Sequence, residues 1–143
     1  MRISVTAKIF EKFPDLTIGI VAAESINNIS RTMTNELTGI LKTTEDEIRR
    51  QFKDKPLSQH PSIQAWRQAY KAFKAGDYRS SVENLTKRVI NGGSLPSINN
   101  LVDCYNIISL RYTLPVGGED LDRVSGDIIL TEATGTEEFI PLL

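Results

Sequence analysis

Residues 97–126 read SINNLVDCYNIISLRYTLPVGGEDLDRVSG, and the residue types in this run decide what the rest must be built around. Ile98, Leu101, Val102 and Tyr105 recur at helical spacing ahead of Pro115, which predicts a helix with one apolar stripe. Asn99, Asp103 and Asn106 stand at i, i+4 and i+7, on one line about 100° from that stripe. Short amides and a carboxylate hold a ligand at fixed distance better than flexible Lys or Glu does, so all three can face one solvent-filled cleft. The same residues can instead cap loops or satisfy buried backbone groups. Beyond Pro115, Gly117 and Gly118 read either as a tight turn needing positive φ or as backbone N–H donors to an oxyanion. Asp120 and Asp122 read as loop solvation or helix capping, or, for Asp120 as for Asp103, as a group that orients water.

Working back from this run, Val82, Leu85, Val89 and Ile90 make a helix closed by Gly92-Gly93. Ile63, Trp66, Tyr70 and Phe73 make another, packed on the core and ended by Gly76. Lys55 to Pro61 reads as a linker. From Thr32 to Phe52, Met33, Leu37, Ile40, Leu41 and Ile48 keep helical spacing, with Glu45, Asp46 and Glu47 opening a second helix that ends on Arg49 and Arg50. Ile3 to Ile9 and Leu16 to Ala22 read as strands about the Phe13-Pro14-Asp15 turn, with a loop at Asn27-Asn28. Ile128 to Leu130 and Phe139 to Leu143 read as further strands.

The 143 residues, 40% apolar and 24% charged, are enough for one domain with one core. Apolar runs are far short of the roughly 20 residues that span a bilayer, so the expected location is cytoplasmic, with no membrane partner. One cysteine and one histidine give no Cys/His metal spacing, and neither a metal nor a cofactor is expected. Cys104 reads as buried apolar filler, and His60, ahead of Pro61, as a helix-start residue. The net charge of -1 conceals an uneven distribution: residues 49–88 hold 10 Lys/Arg against 3 Asp/Glu, and residues 89–143 hold 2 against 8. The first stretch is a solvated surface or a face for phosphates, on which Arg79, Lys87 and Arg88 are the candidate RNA contacts.

Asp103, Asn106, Pro115, Asp120, Asp122 and Gly126 fall on the places of a longer pattern, with HPSIQAWRQAYKAF and YRSSVENLTKRV upstream of it. In these residues the chain resembles the editing domain (the B-three/B-four fold) of the β subunit of bacterial phenylalanyl-tRNA synthetase, in its free-standing synthetase-like form. The likeness runs from roughly Phe13 to Leu143 and is strongest in the second half. It implies an α+β fold, a layered mixed α/β domain containing a β-sandwich. It also implies a single synthetase-editing-like domain over 1–143 that lacks C-terminal strands of the full family domain. In the synthetase the cleft of this fold admits the aminoacylated end of tRNA and hydrolyses wrongly attached tyrosine or a close analogue. Where the synthetase pattern has a pocket His this chain has Gly117, and Tyr105 stands in place of its Thr.

These readings give a candidate site with Asp103, Asn106 and Asp120 as catalytic groups and Asn99, Tyr105, Gly117 and Gly118 around the substrate. The expected partner is tRNA or aminoacyl-tRNA, and an unpaired strand edge near Phe139 suits a homodimer. Three functions stay open. One is an aminoacyl-tRNA deacylase acting in trans, an ester hydrolase and not a ligase. Another is a non-catalytic module for RNA or an amino-acid-like ligand, and the last is a structural or partner-binding domain.

Overall fold

The computed structural model describes residues 1–28, 34–138 and 140. Its regular elements are β1 (Ile3–Val5), α1 (Ala7–Lys12), α2 (Asn35–Gln51), a 3-10 turn (Leu57–Gln59), α3 (Pro61–Ala72), α4 (Ser81–Ile90), α5 (Asn100–Tyr112) and β2 (Ile128–Leu130). They fall into two compact units, Ser25–Gly118 and the pair of segments Met1–Glu24 and Glu119–Leu143.

The helical unit is built on three amphipathic helices. In α2 the buried positions Leu41, Thr44, Glu45 and Ile48 follow the i, i+3, i+4, i+7 rule, and Thr34 caps its start by accepting from the Leu37 N–H at 3.2 Å. This helix is continuous through Glu45, Asp46 and Glu47, where an acid cluster suggested a new helix start. Glu45 is buried because its carboxylate has a distant task, accepting from the Leu95 N–H at 2.8 Å. Ser80 caps α4, which buries Val82, Glu83, Thr86 and Val89. Past its end, Gly92 takes φ +88°, and a Cβ on Gly93 would meet the Arg88 carbonyl oxygen at 2.9 Å, so both expected glycines are required there. Helix α5 packs on both α2 and α4. The shared core comprises Leu41, Ile48, Phe52, Leu57, Ile63, Val82, Val89, Leu95, Ile107 and Leu110. Of the α3 stripe only Ile63 enters this core; Trp66 and Tyr70 are half-buried and Phe73 is exposed.

The other unit carries the sheet. Strands β1 and β2 are parallel, with Ile3, Ser4 and Val5 opposite Ile128, Ile129 and Leu130. The ladder is extended by Ile128 N–H to Arg2 O at 2.9 Å and Thr6 N–H to Leu130 O at 3.0 Å. The strand expected over Ile3 to Ile9 stops at Val5: the Ile9 N–H turns back onto the Thr6 carbonyl and α1 begins, burying Ile9. Leu16 to Ala22 form no strand, and Val21 is 94% exposed. Strand propensity measures fit to a neighbouring strand, and this segment has none.

The expected β-sandwich is therefore corrected. Two packed sheets define a sandwich, whereas the described residues contain one sheet of two three-residue strands. A loose α+β class remains. Met33 and the 139–143 strand, apart from Ile140, lie outside the described residues, as does the edge expected to favour a homodimer. Among the described residues no helix is long and apolar enough to cross a membrane.

A tight turn at residues 134–137 gives a pH-dependent feature. Glu137 accepts from the Thr134 N–H at 2.8 Å, the Gly135 N–H at 2.9 Å and the Thr134 hydroxyl at 2.9 Å. These donors, the Thr134 N–H first, favour the ionised form and lower its pKa to about 2. A carboxylate with a depressed folded pKa supports its turn above the unfolded value of about 4.3 and ceases to as pH falls through the folded one. NMR titration of the Glu137 carboxyl carbon should give a midpoint near 2, with the Thr134 and Gly135 amides moving in step. A midpoint near 4.3 would show that the turn is not populated in solution.

Candidate functional site

The polar line expected on α5 divides into two parts. Asn99 is the helix N-cap: its side-chain Oδ1 accepts from the Val102 N–H at 2.9 Å and from the Asn28 side-chain amide at 3.0 Å. Asn28 returns the contact by accepting from the Leu101 N–H at 3.2 Å. Asp103 is only 2% exposed, and one carboxylate oxygen takes the Ser97 hydroxyl at 2.7 Å while the other takes the Ile98 N–H at 2.9 Å. Both side chains are thus engaged in closing the start of α5, where backbone N–H groups lack helical partners.

Asn106, one turn further along, is half-buried, and its amide makes no hydrogen bond among the described residues. Next to it in sequence, the ring of Tyr105 approaches Gly118 so closely that a Cβ there would come within 3.3 Å of the Tyr105 Cε1. A side chain on Gly118 would press on the Tyr105 ring, and neither Gly117 nor Gly118 has positive φ, so the reading as a turn needing positive φ does not hold. A Cβ on Gly117 would meet open space. Within the helical unit, Tyr105 and Asn106 are half-buried and Gly117 and Gly118 are exposed, with Tyr105 the residue that approaches Gly118. Cys104 is exposed, contrary to its expected burial, because the helix turns its apolar side toward Ile107 and Leu110.

Asp120 and Asp122 belong to the other unit. There the Asp120 side chain accepts from the Asp122 N–H at 3.2 Å, and its carbonyl accepts from the Arg123 N–H at 2.9 Å. This is a local Asx turn. His60 caps α3 by position, its ring tilted against Phe52 with centroids 5.7 Å apart. Among the described residues no cluster of His, Cys, Asp or Glu is arranged to hold a metal ion.

The basic stretch gathers on one acid. Glu83 is fully buried, and Arg67 grips both its oxygens, Nε at 3.0 Å and Nη2 at 2.6 Å. Lys87 approaches at 3.3 Å and Arg79 at 3.5 Å. The Arg67 fork, more than any other partner, holds the Glu83 carboxyl below its ordinary range, and Glu83 in turn raises Arg67. Arg88 is directed elsewhere, its Nε donating to the Ser94 carbonyl at 2.8 Å.

The family model described as "B3/4 domain" matches residues 65–143. The chain belongs to this family. Its B3/4 match takes in most of α3 and all of α4, α5 and β2, so both the Asn106 surface and the Glu83 cluster lie inside it. The chain is also similar to the phenylalanine–tRNA ligase β subunit of Mycoplasmoides gallisepticum, 37% identical over 57 residues. That alignment covers 40% of this chain and 7% of the relative. No solved structure matches. For a B3/4 domain, sequence reasoning passed over Arg67 and Asn28, and it read Glu83 only as an i, i+4 helix support for Lys87. A lone Glu amid basic residues was the available signal for Glu83, since one carboxylate in a run of cations is the natural hub for them; Asn28 carried none, because its partners are 71 and 73 residues away.

Proposed function

We propose that the chain is a tRNA-synthetase-related editing module that hydrolyses mischarged aminoacyl-tRNA in trans. The observation that carries this reading is the Asn106 amide, half-buried and without a hydrogen bond among the described residues, next in sequence to the Tyr105 ring that approaches Gly118, inside the B3/4 span. Ester hydrolysis needs a positioned water, a donor for the carbonyl oxyanion and a group to accept a proton. In this reading Asn106 and the Gly117 and Gly118 N–H groups are the donors, and Tyr105 walls the substrate. Asn99 and Asp103 are positioning residues, a role supported by their capping bonds. Asp120, the other catalytic candidate, belongs to the other unit and is tested separately.

The test is deacylation of a panel of correctly and wrongly charged aminoacyl-tRNAs. Turnover of one mischarged species is expected, and Asn106→Ala, removing one oxyanion donor, should lower kcat by about 100–1,000-fold. Asp120→Asn is the matched variant: if it leaves turnover intact while Asn106→Ala loses it, the chemistry lies in the helical unit. Equal turnover by Asn106→Ala and the parent would remove Asn106 from the site. A second reading is favoured by Gly117, which stands where the synthetase pattern has its pocket His. It is a non-catalytic module for RNA or an amino-acid-like ligand, and binding of aminoacyl-tRNA with no turnover by any variant would select it.

A further inference from the structure

We infer that Arg67, Arg79 and Lys87, gathered on the buried carboxylate of Glu83, form a preorganised seat for a backbone phosphate of RNA. This rests on the reading of the chain as a module that works on tRNA, and goes beyond it by naming the phosphate site and the residue that builds it.

The first observation is a surplus of cations. The bidentate Arg67 fork already satisfies both Glu83 oxygens. Arg79 and Lys87 nevertheless converge on the same oxygen, at 3.5 and 3.3 Å. Three cationic groups reaching one oxygen lie within about 7 Å of one another, where like charges repel. The set carries three positive charges against one negative, and a second anion would relieve that excess. Its outer parts are open to it: the side chains of Arg67, Arg79 and Lys87 are 35%, 35% and 47% exposed, whereas Glu83 is sealed beneath them.

The second observation is rigidity. Arg79 donates through Nη1 to the carbonyls of Gly76 at 2.7 Å and Tyr78 at 2.8 Å, which fixes its guanidinium plane and leaves Nη2 without a hydrogen bond among the described residues. A fixed guanidinium loses less freedom on meeting a phosphate than a mobile surface arginine does. The third points to nucleic acid rather than a free anion. Tyr78, adjacent to Arg79, is 69% exposed, and an exposed aromatic beside a phosphate contact suits base stacking.

The experiment measures binding of a deacylated phenylalanine tRNA transcript across a salt series, with circular dichroism to confirm that each variant is folded. The parent chain should bind with a steep salt dependence. Arg79→Gln combined with Lys87→Gln should lower the slope of log K against log[salt] by about 1.5, at roughly 0.7–0.9 per contact. Tyr78→Ala should weaken binding with the slope unchanged. Glu83→Gln separates position from charge: it adds one net positive charge, so weaker binding supports a built seat and tighter binding overturns it. If Glu83→Gln does not fold, the double variant alone decides. A slope unchanged in the double variant, or no binding by the parent, would sink the proposal. An inactive chain that binds RNA through this seat would instead sink only the deacylase reading, and turnover with an unaffected salt slope would sink only the seat.

Discussion

Leu110→Ala should cost the helical unit about 2–5 kcal/mol, the usual range for emptying a sealed leucine site. Leu110 has no exposed surface and, with Ile107, is the means by which α5 grips α2 and α4. A helix held by one narrow stripe cannot easily close over the void, because its neighbours are anchored by their own core residues Ile48 and Val89. Against a total of roughly 5–15 kcal/mol for a domain, such a loss is large. Urea unfolding followed by far-ultraviolet circular dichroism would measure it. Ile108→Ala is the control: Ile108 is exposed on the same helix and should change stability by no more than about 0.5 kcal/mol. Equal losses for the two variants would mean that the inward face of α5 is misassigned.

Glu83→Gln is the second large effect, about 2 kcal/mol at neutral pH. Breaking a buried ion pair costs about 3–5 kcal/mol when the remaining charge stays buried. Here the cations are a third to a half exposed and can turn to water, which reduces the figure. The pH dependence has a definite sign. The folded pKa of Glu83 is depressed, chiefly by the Arg67 hydrogen bonds, so its contribution is complete above the unfolded value and is lost as pH falls through the lower folded one. The parent and the Gln variant should therefore differ most above about pH 5 and converge in acid. A difference independent of pH would show that the lost contribution is packing rather than charge.

How far these sites were legible follows from the range of the interactions that make them. The helices α3, α4 and α5 could be read because their periodicity and terminal signals are local: Pro61, Ser80, Gly92 and Gly93 lie within a turn of the ends they set. Asn99 and Asp103 were legible as polar positions, but a ligand contact and a cap use the same side chains. Only the neighbourhood of Ser97, Ile98 and Asn28 distinguishes them. Glu45 was misread as a helix start because its partner, the Leu95 N–H, is 50 residues away. The strands were least legible. The apolar run Leu16 to Ala22 has every local mark of a strand, yet a strand exists only through its partner, and among the described residues that pairing went to Ile3–Val5 and Ile128–Leu130 instead.

The parallel pairing of β1 with β2 bears on how the chain is made. Ile3 emerges from the ribosome well before Ile128, its partner in register, whereas Ser25–Gly118 is one uninterrupted segment. The helical segment can thus complete its core during synthesis, while Ile3–Val5 wait for translation to reach Leu130. On ribosomes stalled after Gly118 has emerged but before Leu130 has, residues 25–118 should resist protease while residues 3–5 do not.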